Sequence, residues 1–137
     1  MISHSSEGAR FGVYIPKDLA KDLEECMRRL GIESKSRLIQ EALRLFIAEH
    51  RWRLGGKVVG AIGIIYSHEV PGADEELTDV QHKHLDVIVS TVHVHLDPEN
   101  CMLIVIVRGE SEEIRKLIEE LNRVRGVKVV RLMLMSV

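Results

Sequence analysis

Between Gln81 and Cys101 the chain reads QHKHLDVIVSTVHVHLDPENC, a stretch that holds four of its seven histidines and one of its two cysteines. His93 and His95 are separated by one residue, five residues stand between His95 and Cys101, and His82 lies eleven positions before His93. Imidazole nitrogen and thiolate sulfur are the donors that borderline and soft transition metals select, so the chemistry this spacing offers is metal coordination. On a strand, residues i and i+2 project from the same face, which sets the two imidazoles side by side. The turn Asp97-Pro98-Glu99-Asn100 then brings Cys101 onto the neighbouring antiparallel strand, so these three donors meet without any long-range assumption. His82 belongs to the preceding helix and reaches them only by packing, within the subunit or across an interface. His84, two residues further along, faces elsewhere and is expected to be solvated. Two histidines alternating on a strand are, by themselves, more often polar tips on a surface than ligands. A cysteine beyond a tight turn reverses that balance. Two imidazoles and a thiolate suit Zn, Ni or Cu alike; a fourth nitrogen donor in the same plane favours a square-planar d⁸ or d⁹ ion over tetrahedral Zn.

The elements that must position these donors change character along the chain. Residues 9–15, ARFGVYI, alternate, with Phe11, Val13 and Ile15 on one face and Arg10, Gly12 and Tyr14 on the other. Pro16 ends this strand, and a helix follows whose Leu19, Leu23, Met27 and Leu30 share a stripe closed by Gly31. Cys26 falls in that apolar pattern and is expected to be a small buried hydrophobe. Ser34 or Ser36 caps a second helix with Leu38, Ile39, Ala42, Leu43, Phe46 and Ile47 at helical spacing. One strand without a local partner leaves its backbone unpaired, and so short a unit buries little surface alone. The remedy is a second copy, giving a two-stranded ribbon in an intertwined dimer; the alternative is that 9–15 joins the sheet of the other half. Trp52 and Gly55-Gly56 mark a boundary, giving an N-terminal domain 1–53 and a C-terminal domain 54–137. After it come strand 57–66, helix 73–88, strand 91–97, strand 101–107, helix 111–124 and strand 127–135. That order, β-α-β-β-α-β, is the ferredoxin-like arrangement, and the whole chain is α+β.

The 137 residues, 45% hydrophobic and 29% charged, suit a protein that buries a core, and 4% aromatic content makes that core aliphatic. The net charge of −2 divides into +2 over residues 1–53 (ten Lys+Arg, eight Asp+Glu) and −4 over residues 54–137 (nine and thirteen). No apolar run approaches the ~20 residues of a membrane helix, and MISHSSEGAR lacks the features of an export signal, so the expected location is cytoplasmic and no membrane partner is expected. Two distant cysteines argue against a disulfide framework there.

The basic strand–helix–helix, the βαββαβ domain and the pattern H-x₁₀-H-x-H-x₅-C together resemble the NikR-type nickel-responsive transcriptional regulators. Further matching stretches are Tyr66-x-His68-Glu69, Gln81-His82 and Ser90-Thr91-Val92-His93-Val94-His95. The likeness runs from about Arg10 to the last strand. It implies a ribbon-helix-helix DNA-binding dimer joined to an ACT-like ligand-binding domain that assembles as a homotetramer, a dimer of dimers. It implies one Ni(II) per subunit, held by His93, His95 and Cys101 of one chain and His82 of another, acting as co-repressor, typically of nickel-uptake genes. Ribbon residues Arg10, Gly12 and Tyr14 occupy the positions that reach base edges of a double-stranded operator. Backbone N–H groups near Ser34 to Ser36, with Lys35 and Arg37 beside them, would hold phosphates. Tyr66, His68 and Glu69 are expected to support the ligands from behind or to be structural.

Three positions depart from the family pattern. Gly12 stands where family ribbons usually carry a hydroxyl side chain. Leu103 stands where some members carry an acidic residue that orients the cross-subunit histidine. Arg37 replaces one of two acidic residues of an alkali-metal site whose other member matches Glu41, so no potassium site is expected. Competing functions are an amino-acid-responsive regulatory module, a Zn- or Cu-responsive DNA-binding regulator, and an antitoxin-like dimer. An enzyme is the least favoured, because four protein ligands close a planar site whereas catalytic metals keep an open position.

Overall fold

The computed structural model of the chain describes residues 7–137. Residues 1–6, which the sequence reading includes in the N-terminal domain, lie outside the described residues. The chain divides into two compact units, Met1–Ala42 and Leu43–Val137.

In the first unit, α1 (Lys17–Leu30) ends at Gly31, whose left-handed backbone (φ 69°, ψ 28°) lets its N–H reach Arg28 O while Ile32 N reaches Met27 O. Ser34 is the cap of α2 (Lys35–His50): its Oγ accepts from Arg37 N at 3.2 Å. Residues 9–15 form no strand ladder within the single chain, since the unit has no second strand among the described residues to pair with. Phe11, Val13 and Tyr14 all stand exposed. The expectation of a buried Cys26 is corrected: it is exposed. Met27 is buried, but Leu19, Leu30 and Cys26 lie along the other edge of the same stripe, which nothing among the described residues covers.

The second unit is a four-stranded antiparallel sheet built from β1 (Lys57–Ser67), β2 (Ile88–His95), β3 (Asn100–Glu110) and β4 (Val127–Ser136), in the order β2-β3-β1-β4. Helices α3 (Ala73–Lys83) and α4 (Ser111–Arg123) complete the β-α-β-β-α-β order. Alternation puts Val58, Ile62, Ile64 and Tyr66 of β1 and Cys101, Leu103, Val105 and Val107 of β3 on the covered face. Ile114, Leu117 and Leu121 of α4 and Ala73, Leu77 and Val80 of α3 close over them. Trp52, in a short 3₁₀ turn at Arg51–Leu54, is buried in this same core. It therefore anchors the start of the sheet domain.

The junction between α3 and β2 differs from the sequence reading. α3 stops at Lys83 rather than 88, and β2 begins at Ile88 rather than 91. Arg108 N donates to Val87 O at 2.8 Å, so the chain is drawn into the sheet three residues early. Gly109 permits it: a Cβ there would lie 2.6 Å from Val87 Cγ1.

Candidate metal centre

Registers across the sheet assemble the donors. His95 is paired with Cys101, and Cys101 in turn with Tyr66, so the three stand in one row on one face. His93 is paired with Leu103 one step along. The ligand atoms of His93, His95 and Cys101 all lie within 4.8 Å of one another. His95 Nδ1 is 3.4 Å from Cys101 Sγ, and the two imidazole rings are 4.9 Å apart, centre to centre. Donors about 2.0–2.3 Å from a common ion stand up to about 4.5 Å apart. This trio therefore fits around one ion with small side-chain adjustments. Cys101 is 1% exposed, whereas both histidines are open to solvent, so the face presents imidazoles outward and keeps the sulfur enclosed.

Tyr66 closes the cluster from behind. Its hydroxyl donates to Asp74 Oδ1 at 2.7 Å, and its oxygen lies 3.3 Å from His93 Nε2. A hydroxyl whose one proton is committed to a carboxylate can only accept from the ring. That assigns the proton of neutral His93 to Nε2 and leaves Nδ1 as the lone-pair nitrogen. Burial, then the neighbouring Asp74, pushes the Tyr66 phenol well above its ordinary range, which keeps the donating proton in place.

The turn before Cys101 is fastened on several sides. Asp97 Oδ1 accepts from Glu99 N and Asn100 N at 2.8 and 2.7 Å. The Asn100 side chain and these backbone donors hold the Asp97 carboxyl below its ordinary value. His68 Nε2 hydrogen-bonds to Pro98 O, and Lys128 Nζ reaches Asn100 Oδ1 at 2.6 Å. His68 thus braces the turn rather than joining the trio, and Glu69 stands exposed outside the donor group.

His82 is not brought to the cluster within the chain. Ala73, Leu77 and Val80 define the buried side of α3, and His82, two residues past Val80, points nearly opposite and is exposed. The expectation for His84 is corrected: it is buried, 8% exposed, with Nε2 2.9 Å from Glu120 Oε2 of α4. That hydrogen bond lowers the Glu120 carboxyl. The helix ends at Lys83, so His84 leaves the helical phase on which the solvated expectation relied. Leu103 is buried in the core. Among the proposed DNA-contacting residues, Arg10, Gly12, Tyr14, Lys35 and Arg37 are all exposed, and Arg37 Nε lies 3.3 Å from Glu41 Oε1. Sequence reasoning missed Asp74, the Gln81–Thr91 pair and Glu120, whose partners come from other elements and follow no local period.

Residues 59–135 match the family described as the NikR C terminal nickel binding domain, and residues 9–51 match the ribbon-helix-helix domain. A protein of Dictyoglomus thermophilum named as a nickel-responsive regulator is 42% identical over 120 residues, 87% of this chain and 89% of its own length. This chain belongs to the NikR family of nickel-responsive regulators. A NikR-family relative in Methanocaldococcus jannaschii is 36% identical over 132 residues, spanning 95% of this chain and 94% of the relative. One in Methanothrix thermoacetophila is 39% identical over 130 residues, 93% of each. NikR-type chains are regulators, not enzymes, and the two matched stretches of this chain, 9–51 and 59–135, do not overlap. Among the described residues no helix is long and apolar enough to cross a membrane.

Proposed function

We propose that this chain is a nickel-responsive DNA-binding transcriptional regulator in which Ni(II), one per subunit, acts as co-repressor of nickel-uptake genes. The observation that carries the reading is the pairing of a three-donor cluster with a helix histidine that faces away from it. His93, His95 and Cys101 would hold the ion from one chain, and His82 of a second copy would supply the fourth donor. Bound there, the ion would supply a link between subunits that exists only in the assembled state, and so would favour one quaternary arrangement over others. Neutral imidazoles and a thiolate with a planar fourth nitrogen favour Ni(II) or Cu(II) over Zn(II).

The functional division is residues 1–53 for DNA and 54–137 for metal and assembly. Exposed Leu19, Leu30, Phe11 and Val13 in the first unit support pairing with a second ribbon-helix-helix copy. Arg10 and Tyr14 would read base edges, Gly12 would let the ribbon approach closely, and Lys35 and Arg37 beside the α2 N-terminus would hold phosphates. Exposed Val89, Val92, Val129, Met133 and Met135 on the sheet support a further sheet-to-sheet contact, giving a dimer of dimers located in the cytoplasm.

The test is DNA selection from a random-sequence pool with nickel, followed by binding titrations with Ni, Zn, Cu and Co at fixed salt. Nickel is expected to raise affinity for the selected sequence most, and Cys101→Ala to abolish both that response and the thiolate-to-nickel charge-transfer absorption. An equal response to every metal, or retention of the band without Cys101, would overturn the assignment.

A further inference from the structure

The last turn of α3 is fastened on both sides of His82. On one side, Gln81 Nε2 donates to Leu77 O at 3.1 Å, which leaves its carbonyl oxygen facing β2, where Thr91 Oγ1 donates to Gln81 Oε1 at 2.9 Å. On the other side, His84 is buried against α4 through Glu120 at 2.9 Å. His82 sits between these anchors in the chain, exposed and taking part in neither hydrogen bond. Thr91 shares a strand face with His93 and His95 at i, i+2 and i+4. A single side-chain bridge therefore joins the strand that carries two donors to the helical turn that carries the outward-facing one. An exposed neutral hydrogen bond of this kind adds little to folding stability, so its value lies in what it aligns.

We propose that Gln81 and Thr91 are positioning residues: their hydrogen bond fixes the turn bearing His82 relative to β2, so that the histidine reaches the ion of a second copy. The inference rests on the cross-subunit reading above. The His84–Glu120 pair holds the helix end down on α4, and the Gln81–Thr91 bridge sets its rotation relative to the sheet. Without the bridge, the turn keeps its place on α4, but His82 samples orientations that miss the partner's trio.

The test compares Thr91→Val, Thr91→Ser, His82→Ala and the Thr91→Val/His82→Ala double variant in the full chain, titrated with nickel and followed by the charge-transfer band. Thr91→Val keeps the shape and removes the donor; it is expected to weaken apparent nickel affinity about 5- to 10-fold. Thr91→Ser is expected to restore it. His82→Ala is expected to cost roughly tenfold or more, and Thr91→Val in that background to cost nothing further, because the group it positions is gone. Thermal unfolding of the metal-free protein, read by Trp52 fluorescence, is expected to be the same for Thr91→Val as for the parent, a result a merely structural residue would not give. Additive losses in the double variant would place Thr91's effect on β2 itself and overturn the inference alone. A His82→Ala variant with unchanged affinity and spectrum would overturn the cross-subunit reading and this inference with it.

Discussion

His93 carries two constraints at once: its Nε2 faces the Tyr66 hydroxyl at 3.3 Å, and its ring lies beside His95 in the donor trio. The chain Asp74–Tyr66–His93 fixes the tautomer of the ring and aims its free nitrogen, the service that hydrogen-bonded partners perform for metal-bound imidazoles generally. Tyr66→Phe is expected to leave the Cys101 charge-transfer band in place while weakening apparent nickel affinity about 10–100-fold. A spectroscopic nickel titration of the two proteins checks this. The trio itself was legible because strand alternation and a four-residue turn are local rules, and they bring His93, His95 and Cys101 together by spacing alone. Asp74 was not legible. It sits in the first turn of α3 where an acidic residue is already explained by the helix dipole, and only the packing of α3 on the sheet brings it to the Tyr66 hydroxyl.

At the scale of elements, the reading of six alternating segments as β-α-β-β-α-β followed from periods of 2 and 3.6 and holds in the sheet order β2-β3-β1-β4. The end of α3 did not follow. Residues 84–88 carry His84, Leu85, Val87 and Ile88 at helical spacing, but the backbone of Val87 is taken by Arg108 N, and that pull is non-local. Gly109 makes the close approach possible, with Val87 buried at 4% exposure against it. Gly109→Ala is expected to destabilise the fold by about 1–3 kcal/mol, since a stiff β-branched neighbour cannot swing away. Chemical denaturation followed by Trp52 fluorescence measures it, and an unchanged midpoint would mean that Val87 gives way without cost. Gly126, whose added Cβ would also meet three neighbours, is not a useful substitute because its φ of 94° confounds strain with crowding.

For the whole molecule, the division of charge and of exposed apolar surface says where other molecules belong. Residues 1–53 are net positive and residues 54–137 net negative, which in the proposed reading would draw DNA to the first and hold it off the second. Cys26 was misjudged for the same reason that residues 9–15 have no ladder: in the proposed dimer a second copy would complete both, and no periodicity in one chain says what its partner covers. Arg10→Ala is expected to weaken binding to the selected DNA by about 1–3 kcal/mol without changing the nickel bound per chain, measured by fluorescence anisotropy beside metal analysis. The most direct measurement of the central claim mixes two variants, each unable to form a complete site. His82→Ala chains keep the trio and lack the helix donor; Cys101→Ala chains keep the helix donor and lack the thiolate. Co-expressed and loaded with nickel, mixed assemblies are expected to regain the charge-transfer band at one site in each mixed pair, although neither variant alone shows the full spectrum. No recovery on mixing, with heteromers verified by native mass spectrometry, would contradict a site shared between chains.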